Sequence, residues 1–143
     1  MVYKKLINRI KKHEGFSLSP YKDQLGFLTI GYGHLILPDE NELIKNKKTK
    51  PELERVFIKD FEIAVKNYRK FLKKPNFNKK DEELLIEMVF QLGVKGVLKF
   101  SNLLTNMRKK NKHLVCFEMM DSLWYKQTPY RVKALIKNFL NNE

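Results

Sequence analysis

Apolar residues recur at helical spacing from the start of the chain. Tyr3, Leu6, Ile7 and Ile10 fall on one side, and Lys4, Lys5, Arg9, Lys11 and Lys12 on the other. That is the pattern of an amphipathic helix over 3–13. The period then changes. Between Phe16 and Ile36, Pro20, Gly26, Gly31 and Gly33 stand among Tyr, Phe, Leu, Thr and Ile, which predicts short strands joined by tight turns. The remainder reads as helix, beginning with a short one over Asp39–Asn46. Thr49, Lys50, Pro51 and Glu52 form a capping-box pattern with proline in the first turn. The long helix they open carries Leu53, Val56, Phe57, Phe61, Ala64, Val65, Tyr68 and Leu72, and Pro75 breaks the chain behind it. Leu84, Leu85, Met88, Val89 and Leu92 give the next helix a wide apolar face, with Gly93 placed to end it. A small helix is expected around Gly96–Phe100, one over 102–109 capped by Ser101, and one over Lys112–Leu123. Thr128 and Pro129 read as the N-cap and first residue of a last helix with Val132, Leu135, Ile136 and Phe139 on one face. The fold class is α+β, mostly α: a small β-containing lobe over 14–55, and a helical lobe made of 1–13 with 56–143. The long helix would join the lobes, and a cleft between them is a natural substrate site.

Composition narrows the possible partners. At 143 residues the chain can bury the core of one catalytic domain, and a monomer is expected. Lys plus Arg number 29 against 16 Asp plus Glu, a net charge of +13, so the surface is drawn to polyanions. Nucleic acid, anionic lipid and an acidic bacterial wall all qualify on charge alone. A single cysteine, Cys116, between Val115 and Phe117, excludes an intramolecular disulfide and reads as a buried small hydrophobe. His13, His34 and His113 are scattered, and no Cys/His cluster has zinc spacing, so neither metal nor cofactor is expected. No apolar run approaches membrane-spanning length, so membrane insertion is not expected. The N-terminal stretch is amphipathic where a signal peptide needs a continuous apolar core. Synthesis in a cytoplasm is therefore expected, with release to the site of action by another agent.

Candidate chemistry lies where the first helix meets the strand region. Glu14 ends the helical pattern, Asp23 follows nine residues later and Thr29 six after that. Cleaving a glycosidic bond needs a proton donor for the leaving oxygen and a carboxylate to activate water or stabilise the cationic sugar. Two carboxylates at this spacing occur in many chains, and on spacing alone two solvated surface acids are the commoner case.

The surrounding residues are more specific. Residues 13–36 read HEGFSLSPYKDQLGFLTIGYGHLI. Glu14, Gly15, Tyr21, Lys22, Asp23, Thr29, Ile30, Gly31, Gly33 and His34 match, without a gap, the active-site segment of phage-type lysozymes, and the chain resembles that family. The resemblance resumes at Met88–Gly93 and at Trp124–Pro129 with Arg131. It implies a lysozyme-like two-lobed fold and a muramidase cleaving the β-1,4 bond between N-acetylmuramic acid and N-acetylglucosamine in peptidoglycan. The same likeness implies an endolysin released through a holin. Glu14 is then the general acid, and Asp23 with Thr29 positions the attacking water, which implies inversion. Arg131 resembles the family arginine that pairs with the catalytic glutamate. Leu35 and Phe90 correspond to sugar-contact positions, although Phe90 on an apolar face also reads as core. Gln91 is placed to offer an amide to N-acetyl groups. His34 matches a structural histidine whose ion-pair partner is Asp60 here. Two sugar-contact positions depart: Leu103 stands where the family has serine, and Glu118 where it has asparagine.

Two other readings remain. A lytic transglycosylase of the same fold would use one acid and leave a 1,6-anhydro end. A non-catalytic wall- or nucleic-acid-binding protein would rest on charge alone, and it leaves three ordered motif blocks unexplained. Nucleic acid is therefore not the expected partner. If charge recruits the protein to the wall, lysis of permeabilised cells weakens steeply above physiological salt, because screening shortens exposed charge interactions to about 8 Å at 0.15 M. Turbidity assays from low salt to half-molar check this, and a flat response removes electrostatic recruitment.

Overall fold

A computed structural model describes residues 3–141. The chain is α+β and mostly helical, with a three-stranded antiparallel sheet near the N-terminus and helices after it. It divides into two compact units, one ending at Ile63 and one beginning at Ala64.

The first unit opens with α1 (Lys4–Glu14), whose Leu6, Ile7 and Ile10 are buried. Lys11, Lys12 and His13 occupy its last turn, where cations suit the negative end of the helix dipole. Gly15, at φ 70°, ends it immediately after Glu14. The sheet follows as β1 (Ser17–Lys22), β2 (Leu28–Gly31) and β3 (His34–Leu35) in the order β1-β2-β3. Ser17 pairs with Gly31 and Tyr21 with Thr29, so β1 carries two more residues than β2 between these pairs. The irregular stretch holds Pro20, which has no N–H to give a ladder. Thr29 also pairs with Leu35 and Ile30 with His34. Because paired residues share a face, Tyr21, Thr29 and Leu35 form one row across the sheet. Ile30 lies on the other face, in a small core with Leu43 and Leu53 against which Ile36 packs. Leu43 comes from α2 (Glu42–Lys45), a shorter helix than Asp39–Asn46 suggested.

The long helix α3 (Lys50–Phe71) begins as its sequence predicts. The Glu52 N–H donates to Thr49 Oγ1, and Glu52 Oε1 accepts from the Thr49 N–H and hydroxyl. Its early turns bring Phe57 and Phe61 into a ring cluster with Tyr3 and Tyr32. The boundary between the units falls within this helix.

The second unit is helical. α4 (Lys79–Leu98) starts on a capping box between Asn78 and Asp81. Gly93, at φ 77° and ψ 156°, interrupts it, so the small helix expected at Gly96–Phe100 is the short helical run that ends α4 at Leu98. α5 (Ser101–Arg108) includes Ser101 in the helix, and its N-cap is Phe100 without a side-chain cap, which corrects the expected serine cap. α6 (Lys112–Met120) stops three residues before the predicted Leu123. The Ser122 hydroxyl accepts from the Tyr125 N–H and starts a separate helix, α7 (Leu123–Gln127). α8 (Pro129–Leu140) has Thr128 as its N-cap and proline at its first position, as expected, but the Thr128 side chain makes no cap hydrogen bond. The Thr128 hydroxyl turns back and donates to the Trp124 carbonyl at 3.1 Å, because the preceding helix leaves that acceptor within reach.

Cys116 is buried with Val115 and Met119 on α6. Leu103 is also wholly buried, at 0% exposure, although its sequence position matches a sugar contact. Its apolar character is thereby explained: it serves the core of this unit. Leu103→Ser would hollow that core and bury a hydroxyl, with an expected loss of about 2–5 kcal/mol. Urea unfolding measures it. An unchanged midpoint would mean that the position opens to solvent.

Candidate active site

Within the first unit, Glu14 is held by local backbone chemistry. It is the last residue of α1, half-buried, where Gly15 turns the chain towards β1. Gly33 comes so close that a Cβ built there would lie 3.1 Å from the Glu14 carboxyl carbon and from Oε2. Gly33 also has φ 77°, so both its conformation and its neighbour call for glycine.

Asp23 follows β1 in the hairpin turn. Its Oδ1 accepts from the N–H groups of Leu25 and Phe27, both at 2.9 Å. Its own N–H donates to the Phe27 carbonyl and its carbonyl accepts from Gly26. Such an Asx-type arrangement is a common use of aspartate in turns. Here it fixes the carboxylate at the hairpin's root. Thr29 is buried in mid-sheet, and its hydroxyl donates to the Phe27 carbonyl at 3.1 Å. Tyr21, paired with Thr29, joins the two carboxylates electrostatically. Burial pushes its phenol above the ordinary value of 10.0, and the charges of Glu14 and Asp23 push it further. The first unit thus brings Glu14, Tyr21, Asp23 and Thr29 into one neighbourhood, with Leu35 exposed on the same row.

His34 faces carboxylates on both ring nitrogens. Nδ1 lies 2.7 Å from Asp60 Oδ2, and Nε2 lies 2.9 Å from Glu40 Oε1. Hydrogen bonding to Asp60 is the largest influence on the ring. Burial opposes it and Glu40 adds to it, so the pKa rises from 6.5 to about 9. Two acceptors flanking the ring require two N–H donors, which makes the imidazolium its ordinary state. Sequence reasoning missed Glu40, whose Oε1 also accepts from the Leu37 N–H. For Glu40, burial pushes the pKa up, but the Leu37 N–H and His34 prevail and hold it below 4.5. Among the described residues no group of His, Cys, Asp and Glu is arranged to hold a metal.

The other candidates lie in the second unit. Phe90 is half-buried on α4. Gln91 Oε1 accepts from the Trp124 indole at 2.9 Å, and its Nε2 lies 3.4 Å from the Thr128 hydroxyl, so the amide ties α4 to α7 and to the start of α8. Arg131 is buried, with Nη2 3.5 Å from Glu87 Oε2. Glu87 was also missed. Its signal was a lone carboxylate among Leu84, Leu85, Ile86, Met88, Val89 and Phe90, where only a paired charge is tolerable. Glu118 lines an open hollow with Phe100, Asn102 and Ser122. Unlike Leu103, it stays at the surface.

The phage lysozyme family model matches residues 11–138, nearly the whole chain. The chain belongs to the phage lysozyme family. It is 32% identical to probable T4-type lysozyme 2 of Dictyostelium discoideum, across 94% of this chain and 92% of that protein. It is 33% identical to probable T4-type lysozyme 1 of the same organism, across 89% and 88%. It is also 28% identical to the pre-baseplate central spike protein Gp5 of Enterobacteria phage T4, across 88% of this chain but 26% of that one. Family membership makes this chain a lysozyme, an enzyme that hydrolyses peptidoglycan. No described helix is long and apolar enough to cross a membrane.

Asp60→Asn tests the histidine cluster. The raised His34 pKa contributes stability that is complete below the unfolded value near 6.5 and lost as pH rises through about 9. The lowered Glu40 pKa contributes above its ordinary 4.5, and that part is lost as pH falls through the depressed value. The Asp60→Asn deficit is therefore expected to be largest near pH 5–6, on the order of 2 kcal/mol, and to shrink towards pH 10. Thermal melts across that range check it. A deficit that does not change with pH removes the charged histidine from the account.

Proposed function

We propose that this lysozyme cleaves the β-1,4 bond between N-acetylmuramic acid and N-acetylglucosamine, with Glu14 as general acid and Asp23 and Thr29 placing the water. The observation that carries the reading is that Glu14 and Asp23, each held by a different element, both act on the Tyr21 phenol. A general acid must hold its proton near neutral pH. Glu14 ends a helix, where the dipole's negative end disfavours a carboxylate, and the Asp23 charge acts in the same direction. Asp23 has Oδ1 fixed by two backbone N–H groups, and its Oδ2 accepts from none of the described residues. That oxygen is the one we assign to the attacking water. The Thr29 hydroxyl, anchored to the Phe27 carbonyl, offers its lone pairs to the same water.

The likeness to the family further supports Arg131 as a partner of Glu14 in the working enzyme, and Leu35, Phe90 and Gln91 as sugar contacts. Leu35, half-exposed beside Thr29, is the best placed of these in the first unit. Relatives named T4-type lysozymes occur in Dictyostelium discoideum. The proposal is therefore wall hydrolysis itself, of which phage lysis is one setting.

Glu14→Gln keeps shape but cannot give a proton to the leaving oxygen. Lysis is expected to fall by at least about 10²–10⁴-fold, with folding retained. Water attacking from the face opposite the leaving group yields an α-configured reducing end first. NMR of fresh digests reads the anomer before mutarotation. A β-anomer first would replace inversion with a covalent or substrate-assisted route, a 1,6-anhydro end would make the enzyme a transglycosylase, and full activity of Glu14→Gln would end the assignment.

A further inference from the structure

A second charged cluster lies behind Glu14. Lys11 Nζ is 2.5 Å from Glu54 Oε2, and the Tyr32 hydroxyl donates to Glu54 Oε1 at 2.8 Å. The same ammonium stands 5.0 Å from the centre of the Tyr32 ring and 5.3 Å from that of Phe57. All three polar groups are partly shielded from solvent. Two observations put this cluster close to Glu14. Lys11 precedes Glu14 by three residues on α1, so their side chains share a helix face. Tyr32 precedes Gly33, the residue that abuts the Glu14 carboxyl.

An ammonium in that place is a problem for an acid that must keep its proton, because a nearby cation favours the carboxylate. We propose that Glu54 and Lys11 act as a balanced pair that sets the proton affinity of Glu14, with Glu54 neutralising the cation that α1 places one turn before it. The proposal rests on the reading of Glu14 as general acid. Glu54 and Lys11 are positioning residues and touch no substrate.

Other charged groups lie on the elements that hold Glu14. From α1, Lys12 and His13 share its last turn. From β1 and the hairpin come Tyr21 and Asp23. Beyond Gly33, His34 is matched by Asp60 and Glu40. From α3, Lys50 lies over the Phe16 ring, and Arg131 is the partner suggested by family likeness. Lys11 differs from these in that its carboxylate, Glu54, is itself held by a tyrosine hydroxyl. The Lys11 ammonium, together with Tyr32, keeps the Glu54 carboxyl below its ordinary value against the opposing effect of burial.

The test compares wild type, Glu54→Gln, Lys11→Met and the double variant, each confirmed folded by thermal melting. The Glu14 carboxyl is titrated by ¹³C NMR, its resonance assigned by its loss in Glu14→Gln, and the alkaline limb of the lysis profile is recorded beside it. Glu54→Gln uncovers the cation, so both readouts are expected to move down by about half to one pH unit, the size of one nearby charge in partly screened surroundings. Lys11→Met leaves the anion, and both are expected to move up. The double variant returns near wild type. Loss of packing has no reason to give opposite signs that cancel. Shifts in the same direction, or none, overturn the balanced pair. If Lys11→Met does not fold, Glu54→Gln and the double variant still decide, since only the first should shift. Opposed NMR shifts with an unmoved alkaline limb leave the pair standing and overturn Glu14 as the acid.

Discussion

The close approach of Gly33 to the Glu14 carboxyl is the constraint on which the site depends. A side chain at residue 33 would occupy the space of the acid, so the chain from Gly31 to His34 must run flush against the end of α1. That path is unusual for a backbone, with positive φ at both glycines, and it has to be held. The residues between and beyond the glycines hold it. Tyr32 reaches Glu54 on α3, and His34 reaches Asp60 on the same helix. Glu54 and Asp60 are six residues apart, so one helix anchors the segment at two points. Lys11 on α1 closes the first anchor, and Glu40 closes the second.

The second unit solves a related problem by burial. Its central helix α4 is apolar on nearly every side, yet Asp81, Glu83 and Glu87 are all buried along it. An isolated buried carboxylate is costly, and pairing is the usual remedy. Arg131 lies against Glu87. Asp81 accepts from Lys110 and also from the Asn78 N–H. Lys110 has a φ of 61° and donates as well to the Asn76 carbonyl, so one ion pair closes both the cap of α4 and the turn between α5 and α6. Asp81 thus fixes a helix end, while Glu87 meets its cation in mid-helix.

Local signals were legible wherever the physics was local. The Thr49–Glu52 box, Pro129 at a first helical position and Gly93 as a break all depend on residues within one turn, and each appears in the structure. Ser101 and Thr128 had the right chemistry for caps, but Ser101 lies inside its helix and Thr128, though the N-cap of α8, makes no side-chain cap bond. Phe100 provides the start of α5, and the Thr128 hydroxyl donates to the Trp124 carbonyl and accepts from the Gln91 amide in place of a backbone N–H of α8. Leu103 shows the same limit at a candidate site position. It departs from the serine at a family sugar-contact position, and burial in the core accounts for the leucine.

The sequence by itself determined the class of the fold, the order of most of its elements and the segment that holds the candidate residues. Period, glycine placement and the run from Glu14 to His34 are properties of adjacent residues, so they are readable without coordinates. Only the tertiary structure decided which charges meet. Glu40 and Asp60 are separated by twenty residues, yet they close on the two nitrogens of one imidazole. Glu54 lies more than forty residues beyond Lys11 and takes its charge. Electrostatic energy depends on distance in space and on the surrounding dielectric, and neither is encoded in spacing along the chain.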